Sequence, residues 1–203
     1  MFYNNPIMRS RKNCPRRRAG VTPIVLALLF FAALFEWAGV WARDFLTDQE
    51  IKRMQVTQDI ARRTDIYMDA ASLRLRTAQG RFEGKESEPG DAMEFFSQED
   101  MLDDYLRIME RVMLIVGDAF ESPRRRENVD IKKALKTLKS EGAGNLKRLS
   151  ALKKLAEEKL KKDLLNRVSR AINITEGILD GAEEGLSLLA ERERKEAERG
   201  GIK

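Results

Sequence analysis

The side chains that could do chemistry in this 203-residue chain are carboxylates, amines and guanidinium groups. There is no histidine, and the single cysteine is Cys14. Without histidine there is no imidazole acid–base catalysis, no Ser-His-Asp or Cys-His nucleophile arrangement and no His-ligated metal. Adjacent acids occur at Asp103-Asp104, Glu157-Glu158 and Glu183-Glu184. A carboxylate di-metal centre in a bundle uses Glu-x-x-His pairs on inward faces, and neighbours on a helix point apart. With Arg107, Lys161 and Lys162 close in sequence, solvated ion pairs are the expected role of these acids. No catalytic, cofactor or metal residue is assigned. The one candidate binding cluster is Arg124, Arg125 and Arg126, an anion-binding triplet suited to phosphate groups of lipids or to an anionic polymer. Glu121, Glu127 and Asp130 flank it, so a charged helix–helix corner competes as an explanation. Downstream, Lys132, Lys133, Lys136 and Lys139, then Lys147 and Arg148, form a modest basic stripe. The matching acid excess, Glu83 to Asp104, could pack alongside it.

These groups must be positioned by helices. Thr47-Asp48-Gln49-Glu50 is a capping box, and Phe45 or Leu46 stands where a hydrophobic staple would pack. Apolar positions at spacings of three and four continue through Ile51, Met54, Ile60, Tyr67, Ala71, Leu75 and Ala78, which predicts a first helix ending at Gly80. Crowded polar residues suggest an internal break near Thr64-Asp65. Residues 80–96 read as a mobile loop, rich in glycine and acids from Gly80 to Asp91. Ser97 is a good N-cap for a second helix. Its apolar residues, Met101 to Phe120 and including Met109 and Met113, cover over half its circumference, which predicts the core helix. Pro123 stops it. Asn128 or Asp130 caps a third helix that Gly142 and Gly144 interrupt, after which Leu146, Leu149, Leu152, Leu155 and Leu160 resume the pattern. A last helix carries Leu164 to Leu189, and residues 191–203 form a charged tail expected to fray. The fold class is all-α: an antiparallel bundle of three to four long helices, residues 43–190, after an apolar leader. Asn173-Ile174-Thr175 fits a glycosylation sequon but falls within a predicted helix, so chance accounts for it.

Six of the 38 basic residues and one of the 33 acids precede Arg43, leaving 32 of each in the body. The net charge of +5 therefore belongs to the leader. A neutral body argues against nucleic-acid binding. Val21 to Phe35 is uncharged and follows six basic residues, so the body is expected to cross the cytoplasmic membrane. Residues 1–42 fit a signal peptide cleaved after Ala42, with Val40 and Ala42 at the small-residue positions. They also fit an N-terminal anchor, because residues 21–42 are long enough to span a bilayer. We favour cleavage, giving a periplasmic or secreted protein; without it the body stays membrane-anchored and outside.

The run Asp44-Phe45-Leu46-Thr47, then Glu50-Ile51, Tyr67 and Ala71-x-x-Arg74-Leu75, resembles a group of uncharacterised exported all-helical bacterial proteins. In that group a DFLT-x-x-E-I start follows the signal peptide directly. The resemblance implies export, an all-helical fold and cleavage near Ala42, and it implies no activity.

The function expected from all this is non-enzymatic: a binding or structural bundle in the bacterial envelope, with an unspecified protein or envelope component as partner and no cofactor. A membrane-tethered sensor is the alternative, although no second apolar span leads to an output domain. An enzyme using carboxylates ranks last, because nothing places two acids on one pocket-lining face.

Overall fold

The computed structural model describes residues 44–121 and 128–200, which form five α-helices and, among the described residues, no strand. The leader, Cys14 and the Arg124 to Arg126 triplet lie outside the described residues. The helices are α1 (Asp48–Gln55), α2 (Ile60–Phe82), α3 (Gln98–Glu121), α4 (Asn128–Glu158) and α5 (Lys162–Gly200).

The capping box forms as expected. The Thr47 amide donates to Glu50 Oε2 at 2.7 Å, and the Glu50 amide donates to Thr47 Oγ1 at 3.3 Å. The first helix does not run on from there, however. It stops at Gln55 and restarts at Ile60, because the Asp59 carboxylate accepts from the Ala61 amide at 2.8 Å and caps a new helix. No break follows at Thr64-Asp65. Thr64 is buried and returns its hydroxyl to the Ile60 carbonyl at 2.8 Å, while Asp65 accepts from Thr137 on α4 at 2.9 Å.

The end of α2 is set by Gly84 and not by Gly80. Gly84 has φ 82°, and the Lys85 amide reaches back to the Gly80 carbonyl at 2.9 Å, the six-to-one bond of a Schellman motif. The segment that follows is pinned in its second half. Met93 is buried, and Arg81 donates to the carbonyls of Met93 and Glu94 and to the Ser87 hydroxyl. Ser97 caps α3, with the Asp100 amide donating to its hydroxyl at 3.0 Å.

Helix α4 is continuous through Gly142 and Gly144. Gly142 serves packing: a Cβ there would lie 3.0 Å from Leu179 Cδ2, so its absence lets α4 and α5 approach closely. Helix α4 ends at a second Schellman turn, in which Lys161 donates to the Ala156 carbonyl at 3.1 Å. Here Leu160 occupies the left-handed position at φ 54° and is 87 % exposed, so it is a turn residue and not part of the apolar stripe. Helix α5 continues to Gly200, although residues 190–199 are all exposed.

Helix α2 touches α3 and α4, α5 touches α3 and α4, and α2 does not meet α5. Contacts ascend together along α2 and α4 (Asp65 with Thr137, Ser72 with Asn145, Phe82 with Lys159), so these neighbours are parallel. Helices α3 and α5 are parallel too, through Gln98 with Lys161 and Phe120 with Arg192. Lys132 with Glu193 and Lys139 with Glu183 make α4 and α5 antiparallel. Chain direction thus alternates from helix to helix, but α3 and α4 lie across a diagonal.

Met68, Leu75, Met101, Ile108, Met109, Val112, Ile131, Leu149, Leu152 and Val168 fill the centre with no exposed surface. The apolar arc of α3 is wider than the core requires, and Met113 is 49 % exposed.

Candidate functional site

Arg74 occupies a position on α2 between Ala71 and Ala78, both fully buried, so an arginine lies on the apolar face of the helix. Its guanidinium meets Glu50 of α1 edge to edge: Nη1 donates to Oε1 at 2.7 Å and Nη2 to Oε2 at 2.8 Å. Nη2 also donates to the Phe45 carbonyl at 2.8 Å. The two side chains are 2 % and 10 % exposed. Burial acts to raise the Glu50 carboxyl. The hydrogen bonds from Arg74, the Thr47 amide and the Arg74 charge together outweigh it and hold the group below its ordinary value. The planar fork suits such a bidentate pair and fixes the approach of both residues. It clasps residues 45–50 onto α2.

This clasp forms part of the wall of a cleft of about 1050 Å³ between residues 44–53, α2 and residues 90–96. Its acids are Asp44, Asp48, Glu50, Asp69, Asp91 and Asp104, against Arg53, Arg74 and Arg76. Glu50 and Arg74 neutralise one another, and Arg53 lies 3.7 Å from Asp69, so the balance is acidic. A second, mainly apolar groove of about 340 Å³ runs between α3 and α5 past Met113, Gly117, Gly177, Gly181 and Leu188.

Two polar contacts sit inside the bundle. Tyr105 on α3 and Thr175 on α5 are 2.7 Å apart. Thr175 gives its only hydroxyl hydrogen to the Ala171 carbonyl at 2.7 Å, so Tyr105 donates to Thr175. Burial pushes the Tyr105 phenol up, with Thr175 opposing. Ser72 donates to Asn145 Oδ1 at 2.8 Å, while Asn145 Nδ2 is buried and has no partner among the described residues.

The acid pairs diverge as expected on a helix. Asp103 pairs with Arg167 and Glu183 with Lys139, while Glu157 and Glu158 are exposed. Asp104 departs from the solvated role: it is 2 % exposed and lines the cleft. Thr175 of the sequon is buried in mid-helix. Among the described residues no group of three or more acids or thiols could hold a metal ion, and no helix is long and apolar enough to cross a membrane. The Glu50–Arg74 pair escaped sequence reading, although its signal was present in the form of an arginine at an apolar position. No family model, curated protein or solved structure matches the chain.

Proposed function

We propose that the chain is a non-enzymatic helical-bundle protein that works outside the cytoplasm, in the bacterial envelope, by binding a partner or ligand through the cleft beside α1. The observation that carries this reading is the Glu50–Arg74 clasp. It fixes part of the cleft wall before any ligand arrives, which reduces the ordering cost of binding. The acidic balance of the lining favours a cationic group, such as a polyamine or a lysine-rich segment of a partner. Export follows from the basic leader and the uncharged run from Val21 to Phe35.

Two experiments test the reading. An alkaline phosphatase fusion after Asp48 should be active in a bacterial host; an inactive fusion beside an active exported control overturns the localisation. Spermine should raise the melting temperature of the exported protein, and Asp48→Asn with Asp91→Asn should abolish the rise. No effect from spermine or a lysine oligopeptide would remove the cleft from consideration.

A further inference from the structure

Helix α4 carries eight basic side chains against four acidic ones, and the structure sorts them by face. Lys132 and Lys139 turn towards α5, where they pair with Glu193 at 2.8 Å and Glu183 at 3.2 Å. Lys133, Lys136, Lys147 and Lys154 share the outward face, since their spacings of 3, 11 and 7 residues bring each within about 60° of the next at ~100° per residue. All four are exposed. Lys133 has only Asp130 nearby, at 3.7 Å, and Lys136, Lys147 and Lys154 have no acidic partner among the described residues. Between them the same face carries Ser140, Ala143, Ser150 and Ala151, all too short to shield an ammonium group. Glu157 and Glu158 close the stripe at its C-terminal end. Two acids of the 83–104 segment, which could have packed alongside these lysines, pair elsewhere: Asp103 with Arg167 of α5 and Glu83 with Lys85.

We infer that this face of α4 is a docking surface for an anionic bilayer, with the lysines lying against the phosphate headgroups. From Lys133 to Lys154 the stripe is about 32 Å long and straight, because it follows one helix. A flat surface meets all four charges at once. A polyanion that wraps the body would meet the acidic cleft as well, and the body has as many acids as bases. Lysine presents compact point charges on flexible stems, suited to diffuse attraction without the bidentate geometry that arginine supplies. Where the apolar segment at residues 21–42 is retained as an anchor, it holds the body at such a surface.

The test uses the full chain in liposomes. A Cys14→Ser, Ser140→Cys protein carries an environment-sensitive dye on the stripe. A Cys14→Ser, Leu114→Cys protein carries it on α3, which lies diagonally across the bundle from α4. With headgroup-quencher lipid in phosphatidylglycerol bilayers, the Ser140 dye should be quenched and the Leu114 dye spared. Phosphatidylcholine bilayers should give no quenching. About 0.5 M salt, with a Debye length of about 4 Å, should reverse the effect. Each of Lys136→Gln, Lys147→Gln and Lys154→Gln should lower the docked-to-free ratio about fivefold. Equal quenching in both lipids, or indifference to Lys136→Gln, Lys147→Gln and Lys154→Gln combined in one protein, overturns the inference. So does a Ser140 dye that responds to soluble polyglutamate but not to phosphatidylglycerol bilayers, which would assign the stripe to an acidic polymer.

Discussion

Arg74 and Glu50, 24 residues apart in the chain, form a buried fork-to-carboxylate pair that joins α1 to the bundle and carries the Phe45 carbonyl with it. Glu50 therefore does two jobs: it completes the Thr47 capping box and neutralises a guanidinium that would otherwise be buried alone. Phe45, Thr47, Glu50 and Arg74 meet at this one point. Arg74→Met should cost about 3–5 kcal/mol in denaturant unfolding, because it strands a buried carboxylate. The double variant Glu50→Leu, Arg74→Met should lose less than the two single variants summed. A purely additive result would show that the pair is not coupled.

The same pair gives the stability a pH dependence of known sign. The Glu50 carboxyl is depressed in the folded protein. Its contribution is fully present above the unfolded glutamate value of roughly 4.3 and is lost as pH falls through the lower folded value. Wild type should exceed Glu50→Gln most clearly at neutral pH, and the gap should shrink as pH drops below about 4. Thermal melts of both proteins across that range check this, and a constant gap would contradict it.

Inside the bundle, the direction of the Tyr105–Thr175 hydrogen bond makes the two ends unequal. Tyr105→Phe leaves Thr175 still bonded to Ala171, so a loss of about 1 kcal/mol is expected. Thr175→Val leaves the buried phenol without an acceptor and should cost more, about 1–3 kcal/mol, whereas Thr175→Ser should recover most of it. Chemical denaturation that ranked Tyr105→Phe as the more damaging change would reverse the assigned direction.

The two Schellman turns make opposite predictions. Leu160, at φ 54°, holds a left-handed conformation that costs a non-glycine residue about 1–2 kcal/mol, so Leu160→Gly should raise stability by about 1 kcal/mol. Gly84, at φ 82°, already has the residue its turn requires, and Gly84→Ala should lower stability by a similar amount. Both shifts are readable as changes in melting temperature, and the same sign for both would refute the turn assignment.

Burial along α3 supplies a direct check of the core. Ile108 and Val112 have no exposed surface, so Ile108→Asp or Val112→Asp should cost several kcal/mol and unfold the bundle. Lys136→Ala, on the outer face of α4, should stay within about 0.5 kcal/mol of wild type. Circular dichroism through a thermal melt separates these outcomes.

The sequence by itself determined the helical class, the Thr47 and Ser97 caps, the core face of α3 and the neutrality of the body, because each follows from nearest-neighbour chemistry or a 3.6-residue period. Local patterns fared worse where one residue could serve two ends. Gly80 and Gly142 looked like breakers, yet helices pass through both: a glycine at ordinary helical φ weakens a helix without ending it, and at Gly142 tertiary packing gains from the missing Cβ. Leu160 extended an apolar stripe on paper but fell at a turn, since the period says nothing of where a helix stops. Only the tertiary structure decided that α2 lies beside α4, that Arg74 finds Glu50, that Tyr105 finds Thr175, and that Asp103 pairs with Arg167 of α5. Those outcomes depend on which helix faces which. A one-dimensional pattern fixes the face each helix turns inward but does not choose among the neighbours that could cover it.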